Sequence, residues 1–212
     1  MHVIFGGTFD PVHHGHLRLA VELRERLGVT RLALVPSHVP PHRESPGASS
    51  EDRLRLLELA IEGEPGLYID ERELGRAGSS FTADTLRQLR SELGPDEPVA
   101  MVVGADAFAA FDQWRDWQGI PSLAHIIVVN RPGTVVDPGS AAGRLLAERR
   151  ADSPDQLHGR PGGLCLTLDL PLLAISATGI RERIGSGRSP RYLLPDRVWA
   201  EIRARKLYGA VR

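Results

Sequence analysis

The chain has 212 residues, 42% of them hydrophobic and 25% charged, which suits one packed domain and excludes wholesale disorder. Lys and Arg number 26 against 27 Asp and Glu, a formal net charge of −1, so no overall field draws the protein to nucleic acid or to an anionic membrane. A single cysteine, Cys165, excludes a disulfide framework and a multi-cysteine zinc site, and without a basic, apolar leader or a span-length apolar run the expected compartment is the cytoplasm.

In chain order, His2–Phe5 is a short apolar run that predicts a strand. His14–Leu27 has helical spacing, with Ala20, Leu23 and Leu27 on one stripe and Arg18, Glu22 and Glu25 on another. Arg31–Val35 predicts a second strand, followed by a loop at Pro36–Ser49 rich in Pro, His and Ser. Ser50–Glu62 predicts a helix with Leu54, Leu57 and Ile61 inward, and Thr82–Leu93 another with Leu86, Leu89 and Leu93 inward. Strands are predicted at Pro98–Val103, His125–Val129 and Leu164–Asp169, with a Pro/Gly-rich loop at Arg131–Gly139. Short helices are expected near Thr178–Ile184 and Asp196–Lys206. Apolar runs without strict alternation suit strands covered on both faces, as in a parallel sheet. Strand alternating with helix then predicts an α/β protein: a doubly wound, mainly parallel Rossmann-like sheet, helices on both faces and a small helical C-terminal part. No repeat or low-complexity segment divides it, so residues 1–212 read as one domain. Cys165 falls in a predicted strand without an activating partner and reads as core.

The most informative stretch is Gly6-Gly7-Thr8-Phe9-Asp10-Pro11-Val12-His13-His14-Gly15-His16, directly after the first strand and opening the first helix. It is not a P-loop, because no Gly-Lys-Ser/Thr follows, and its glycine spacing is not the dinucleotide fingerprint. Glycines let backbone approach a phosphate, and a helix N-terminus offers N–H groups and positive dipole. His16 lies on the Ala20/Leu23 stripe, and His13, one turn earlier, can point the same way. Gly15 between them has no side chain to block a ligand. Two imidazoles and a helix end converging on one anion suit stabilisation of charge on a phosphoryl group. A histidine at a helix start is more often a cap or surface residue, and a metal site would need a further ligand that the spacing does not supply.

This stretch resembles the signature of the nucleotidyltransferase superfamily with an (H/T)xGH motif. Its second signature, ISxTxxR, is matched by Ile175-Ser176-Ala177-Thr178-Gly179-Ile180-Arg181, with Ala177 at a variable position. Within the superfamily the chain most resembles bacterial nicotinate-nucleotide adenylyltransferases, through Val35-Pro36, Pro40-Pro41-His42-Arg43, Phe81–Leu86, Gly104-Ala105-Asp106, Trp114, Asn130-Arg131-Pro132-Gly133 and Tyr192–Pro195. The resemblance implies direct transfer of AMP from ATP to nicotinate mononucleotide in NAD biosynthesis, with Mg2+ accompanying ATP and no protein metal site. It implies ATP contacts at Gly6, Gly7, Thr8, Phe9, His13, Gly15, His16, Ile175, Ser176, Thr178 and Arg181, with His13, His16 and Arg181 catalytic. Neither nucleic acid nor membrane is an expected partner; a homo-oligomer is left open.

On residue chemistry alone, Ser176 or Thr178 caps the next helix, and Arg181 one turn on carries a permanent, planar cation suited to phosphate oxygens. Thr82 reads as an N-cap that puts Thr85 at N3, with its N–H near an unsatisfied helix end. Trp114 offers a flat face to a pyridine ring, or is plain core. The resemblance assigns Trp114 to stacking, main-chain groups of Thr85 and Arg115 to the nicotinate carboxylate and Asp106 to a ribose or the acceptor. Asp106 as a simple helix cap is the alternative. His42 and Arg43 read as a loop able to close over phosphates, or as a solvated loop. Two other functions fit the motifs: a phosphopantetheine adenylyltransferase, and a non-catalytic nucleotide-binding regulator on the same scaffold.

Overall fold

A computed structural model describes residues 1–38, 46–76, 78–130, 133 and 135–211. Among them, strands β1 (His2–Gly7), β2 (Leu32–Pro36), β3 (Leu67–Ile69), β4 (Val99–Gly104), β5 (His125–Val129), β6 (Arg150–Ala151) and β7 (Cys165–Leu168) form one sheet in the order β3-β2-β1-β4-β5-β7-β6. Every neighbouring pair is parallel. The helices are α1 (His14–Arg26), α2 (Ser50–Ile61), α3 (Thr82–Leu93), α4 (Ala105–Phe108), α5 (Ile120–Leu123), α6 (Ala141–Glu148), α7 (Asp155–His158), α8 (Ala177–Gly185) and α9 (Asp196–Ala204). No helix among the described residues is long and apolar enough to cross a membrane.

The unbroken apolar character of the strands follows from burial on both faces. Val3, Leu32, Leu34, Ala100, Val102, Ile127 and Val129 share a core layer with Leu23 and Leu27, Leu56 and Leu57 of α2, Ile180 and Ile184 of α8, and Val198 and Ile202 of α9. Their strand neighbours Ile4, Ala33, Val35, Met101, Val103, Ile126 and Val128 point the other way, onto Leu86 and Leu89 of α3, Phe108, Phe111 and Ile120. Truncating one of these buried leucines to Ala costs about 2–5 kcal/mol, from lost transfer energy plus the cavity left behind. Cys165 is buried in β7, where burial pushes its thiol up to about 11 and makes it an inert core residue.

From β1 the chain steps outward to β2 and β3, then crosses back to β4 and continues the other way. The strand order therefore reverses between β1 and β4, and the carboxyl ends of strands at such a reversal are where these sheets bind ligands.

The doubly wound sheet is as predicted, with three local differences. Gly6 and Gly7 belong to β1, Gly7 being in register with Pro36, so the turn begins at Thr8. The inward face of α2 is Arg53, Leu56 and Leu57 instead of Leu54, Leu57 and Ile61. Leu93, at the last position of α3, is 37% exposed because the helix runs past the edge of its core. Elements β3, β6, α4, α5, α6 and α7 add to those predicted.

Candidate active site

His13 is the N-cap residue of α1, in extended conformation (φ −150°, ψ 169°) and without a side-chain capping bond. The His14 N–H donates to the Leu193 carbonyl at 3.0 Å, and those of His16 and Leu17 return to the His13 carbonyl at 2.9 and 3.2 Å. Gly15 supplies the remaining first-turn N–H, at the positive end of the helix. The His13 and His16 rings stack, centroids 3.7 Å apart and planes 23° from parallel. Phe9 packs edge-on against His16 with centroids 5.0 Å apart, and Phe5 packs against Phe9.

Glycine at 15 is a requirement of this arrangement: a Cβ there would lie 2.9 Å from His13 Nδ1 and 3.5 Å from the Ile175 carbonyl. A Cβ on Gly7 would fall 2.9 Å from the Phe9 ring, whereas one on Gly6 would meet nothing within 4 Å, so that backbone faces open space. Phe9 holds a left-handed φ of 49°, an unfavourable conformation for a bulky residue, while its ring is 1% exposed. Burial of the ring maintains it and fixes the turn beneath the imidazoles.

The second motif closes onto this turn. Ser176 is the N-cap of α8, its hydroxyl accepting from the Gly179 N–H at 3.1 Å, which decides between Ser176 and Thr178. Arg181, one turn into α8, donates from Nη1 to the Asp10 carbonyl at 2.7 Å and from Nη2 to Thr178 Oγ1 at 3.3 Å. His13, Gly15, His16, Ile175, Thr178 and Arg181 thus share one mouth, although the motifs lie at opposite ends of the chain.

Sequence reasoning gave no role to three residues that hold this mouth together. Arg53 is fully buried, and donates to the Thr8 carbonyl at 2.7 Å, the His38 carbonyl at 2.9 Å and Ser50 Oγ at 3.0 Å. Desolvation lowers its pKa, partly opposed by Asp10. Asp10 accepts from the Gly47 and Ala48 N–H groups at 2.7 and 3.1 Å and from the Tyr208 hydroxyl at 2.7 Å. Asp10 stood inside the quoted motif; Arg53 and Tyr208 carry no sequence signal, since helical periodicity assigns an arginine to solvent and a contact across 198 positions leaves no local trace.

On the acceptor side, Phe81 is the N-cap of α3 and Thr82 its first helical residue. This corrects the expected frame: the Thr85 N–H bonds to the Phe81 carbonyl at 3.2 Å and its hydroxyl donates to Glu73 Oε1 at 2.6 Å, with Thr85 1% exposed. The first-turn donors outside that ladder are those of Thr82 and Ala83. The Arg115 guanidinium lies 4.7 Å over the Phe81 ring and 3.4 Å from Asp84, so the 114–115 segment meets the start of α3. Trp114 is half-buried against Phe111, combining core contact with an accessible part. Asp106 is exposed in the first turn of α4 at the end of β4; Gly104 is the cap. His42 and Arg43 lie outside the described residues.

A family model described as Cytidylyltransferase-like matches residues 4–183. A Marinobacter nauticus protein named "Probable nicotinate-nucleotide adenylyltransferase" is 64% identical over 99% of this chain and 97% of its own. A Hahella chejuensis protein of the same name is 48% identical over 99% and 96%. The chain belongs to the nicotinate-nucleotide adenylyltransferase family. The enzyme's fold is also that of Plasmodium falciparum nicotinic acid mononucleotide adenylyltransferase complexed with NaAD, with a TM-score of 0.76 at 14% identity over 99% of this chain and 97% of that one. In the enzyme, Gly6 and Gly7 end β1, Thr8 and Phe9 follow in the turn before α1, and the Ile175 carbonyl lies beside Gly15.

Proposed function

We propose that the enzyme joins ATP and nicotinate mononucleotide to give nicotinate adenine dinucleotide and pyrophosphate, a step of NAD biosynthesis. The observation that carries this reading is the bond from Arg181 to the Asp10 carbonyl, which seats the second motif on the first so that one triphosphate can touch both. The curated relatives' names and the NaAD of the Plasmodium neighbour agree with the acceptor.

In this mechanism a phosphate oxygen of nicotinate mononucleotide attacks the α-phosphorus of ATP, the new P–O bond forms, and the bond to the β-phosphate bridging oxygen breaks with its electron pair. The nucleophile is already an anion, so neither a general base nor a covalent enzyme intermediate is required. Catalysis comes from placement and from charge stabilisation. His13, His16 and the α1 N-terminus face the α-phosphate, and Thr178 and Arg181 take the departing pyrophosphate. The Trp114 face stacks on the pyridine ring, and the Thr82 and Ala83 N–H groups at the start of α3 replace Thr85 as donors to its carboxylate. Magnesium enters as Mg·ATP. The ion would be held mainly by the phosphates and water and would supply neutralisation of the charge on the leaving pyrophosphate.

The test is pyrophosphate release from ATP with nicotinate mononucleotide, nicotinamide mononucleotide or phosphopantetheine offered separately. Turnover with nicotinate mononucleotide is expected. Activity confined to phosphopantetheine, or absent with all three, overturns the reading.

A further inference from the structure

Asp10 lies beside the Arg181 guanidinium, which joins the two motifs, yet the two side chains do not form a tight ion pair. Asp10 Oδ2 is 3.6 Å from Arg181 Nη1, which donates instead to the Asp10 main-chain carbonyl at 2.7 Å. A carboxylate and a guanidinium this close ordinarily collapse into a two-bond fork. Here the carboxylate, only 5% exposed, is turned toward three other donors: the Gly47 and Ala48 N–H groups and the Tyr208 hydroxyl.

Tyr208 reaches Asp10 from the last turn of the described chain. It adopts a left-handed φ of 57°, with Gly209 after it at 78° and Lys206 two residues before it at 55°. Such backbone is unfavourable for a bulky aromatic residue and persists only where its surroundings hold it. Burial, reinforced by the Asp10 charge, raises the phenol pKa, so the hydroxyl remains a donor at neutral pH. Ring and guanidinium stem also share a contact surface: a Cβ on Gly47 would lie 3.2 Å from the Tyr208 ring and 3.3 Å from Arg181 Cδ.

We propose that Tyr208 is a positioning residue for ATP binding, its hydroxyl holding the Asp10 carboxylate off Arg181 so that the guanidinium stays open to the triphosphate. The proposal rests on the phosphate-binding role given to Arg181 above. Without the hydroxyl, Asp10 Oδ1 loses a donor and the carboxylate swings toward the nearest cation. ATP then has to displace an internal anion from Arg181. The acceptor site at α3 makes no contact with Tyr208 in this scheme and is unaffected.

The test is a comparison of Tyr208→Phe, Arg181→Ala and the double variant by pyrophosphate release, with calorimetric binding of a non-hydrolysable ATP analogue alongside. Tyr208→Phe is expected to raise KM for ATP and the analogue's Kd about tenfold, equivalent to ~1.4 kcal/mol, while KM for nicotinate mononucleotide stays within twofold. In the Arg181→Ala background the same substitution is expected to change neither. Gly47→Ala, which presses on the ring and the guanidinium stem from the other side, gives a second route to the same selective loss should Tyr208→Phe fold poorly. If Arg181→Ala weakens ATP binding but a folded Tyr208→Phe does not, whatever Gly47→Ala does, the positioning role is overturned and the phosphate role of Arg181 survives. If Arg181→Ala leaves ATP binding unchanged, the phosphate role itself fails. Equal losses for both substrates, or an undiminished effect in the Arg181→Ala background, reduce Tyr208 to a tail anchor and also overturn the proposal.

Discussion

Gly15→Ala is the smallest change that separates the site from the fold. The added methyl would lie 2.9 Å from His13 Nδ1 and 3.0 Å from its Cε1, so the ring must retreat by about 0.6 Å or more to reach ordinary contact distance. Retreat is obstructed, because the ring is 4% exposed and stacked at 3.7 Å on His16. Displacing a reacting group by about 1 Å costs on the order of 10²-fold in rate, and losing a preorganised donor costs roughly 10²–10³. The expected loss in kcat is therefore about 10²-fold. Stability is expected to hold or fall modestly, because relieving the overlap with a buried ring costs about 1–3 kcal/mol and the helix preference of Ala over Gly offsets up to ~1 kcal/mol of it. Pyrophosphate release and thermal melting on the same preparation read both quantities. A kcat within threefold of the parent enzyme, at unchanged Tm, would refute the claim that the His13 ring is poised over the reacting phosphate.

Three further outcomes follow from buried groups and the acceptor wall. Arg53→Met leaves the Thr8 and His38 carbonyls without their donor and should destabilise the protein by roughly 3 kcal/mol, lowering Tm by about 6–12 °C; an unchanged melting curve would show that this anchor is dispensable. Glu73 is buried under α3 and desolvation raises its pKa above 4.5, partly opposed by bonds from Thr85 and Ser80. Its folded state binds the proton more tightly than the unfolded state, so its contribution is best below about pH 4.5 and declines as pH rises through the folded-state value. Glu73→Gln should therefore melt higher than the parent at pH 8, with the advantage gone below pH 4.5; a parent more stable at pH 8 contradicts this. Trp114→Ala should raise KM for nicotinate mononucleotide about tenfold, as stacking worth ~1.4 kcal/mol is lost, while KM for ATP holds. Equal changes in both constants would make Trp114 a core residue only.

Much of the site was legible because each motif is local. The imidazole spacing needs only the helical repeat, and the stripe of Ala20 and Leu23 continues to His16, whose ring meets Phe5 of β1 and Phe9. The sheet followed from continuous apolar strands, but β3 and β6 have three and two residues, too few to show a period. The start of α3 was misplaced by one residue because Thr82 has the side chain of a cap, whereas the backbone is already extended at Phe81 (φ −112°, ψ 129°). Arg53 escaped notice because its burial depends on carbonyls that the fold brings to it. The Asp10–Tyr208 contact joins the ends of the chain and exists only once the sheet has placed α8 beside α1.

The most direct test of the central claim is the structure of the enzyme with a non-hydrolysable ATP analogue. The account predicts the α-phosphate within hydrogen-bonding distance of His16 and of the Gly15 N–H, with Arg181 on the β- and γ-phosphates. A triphosphate bound out of reach of His16 and the Gly15 N–H, or out of reach of Arg181, would contradict it.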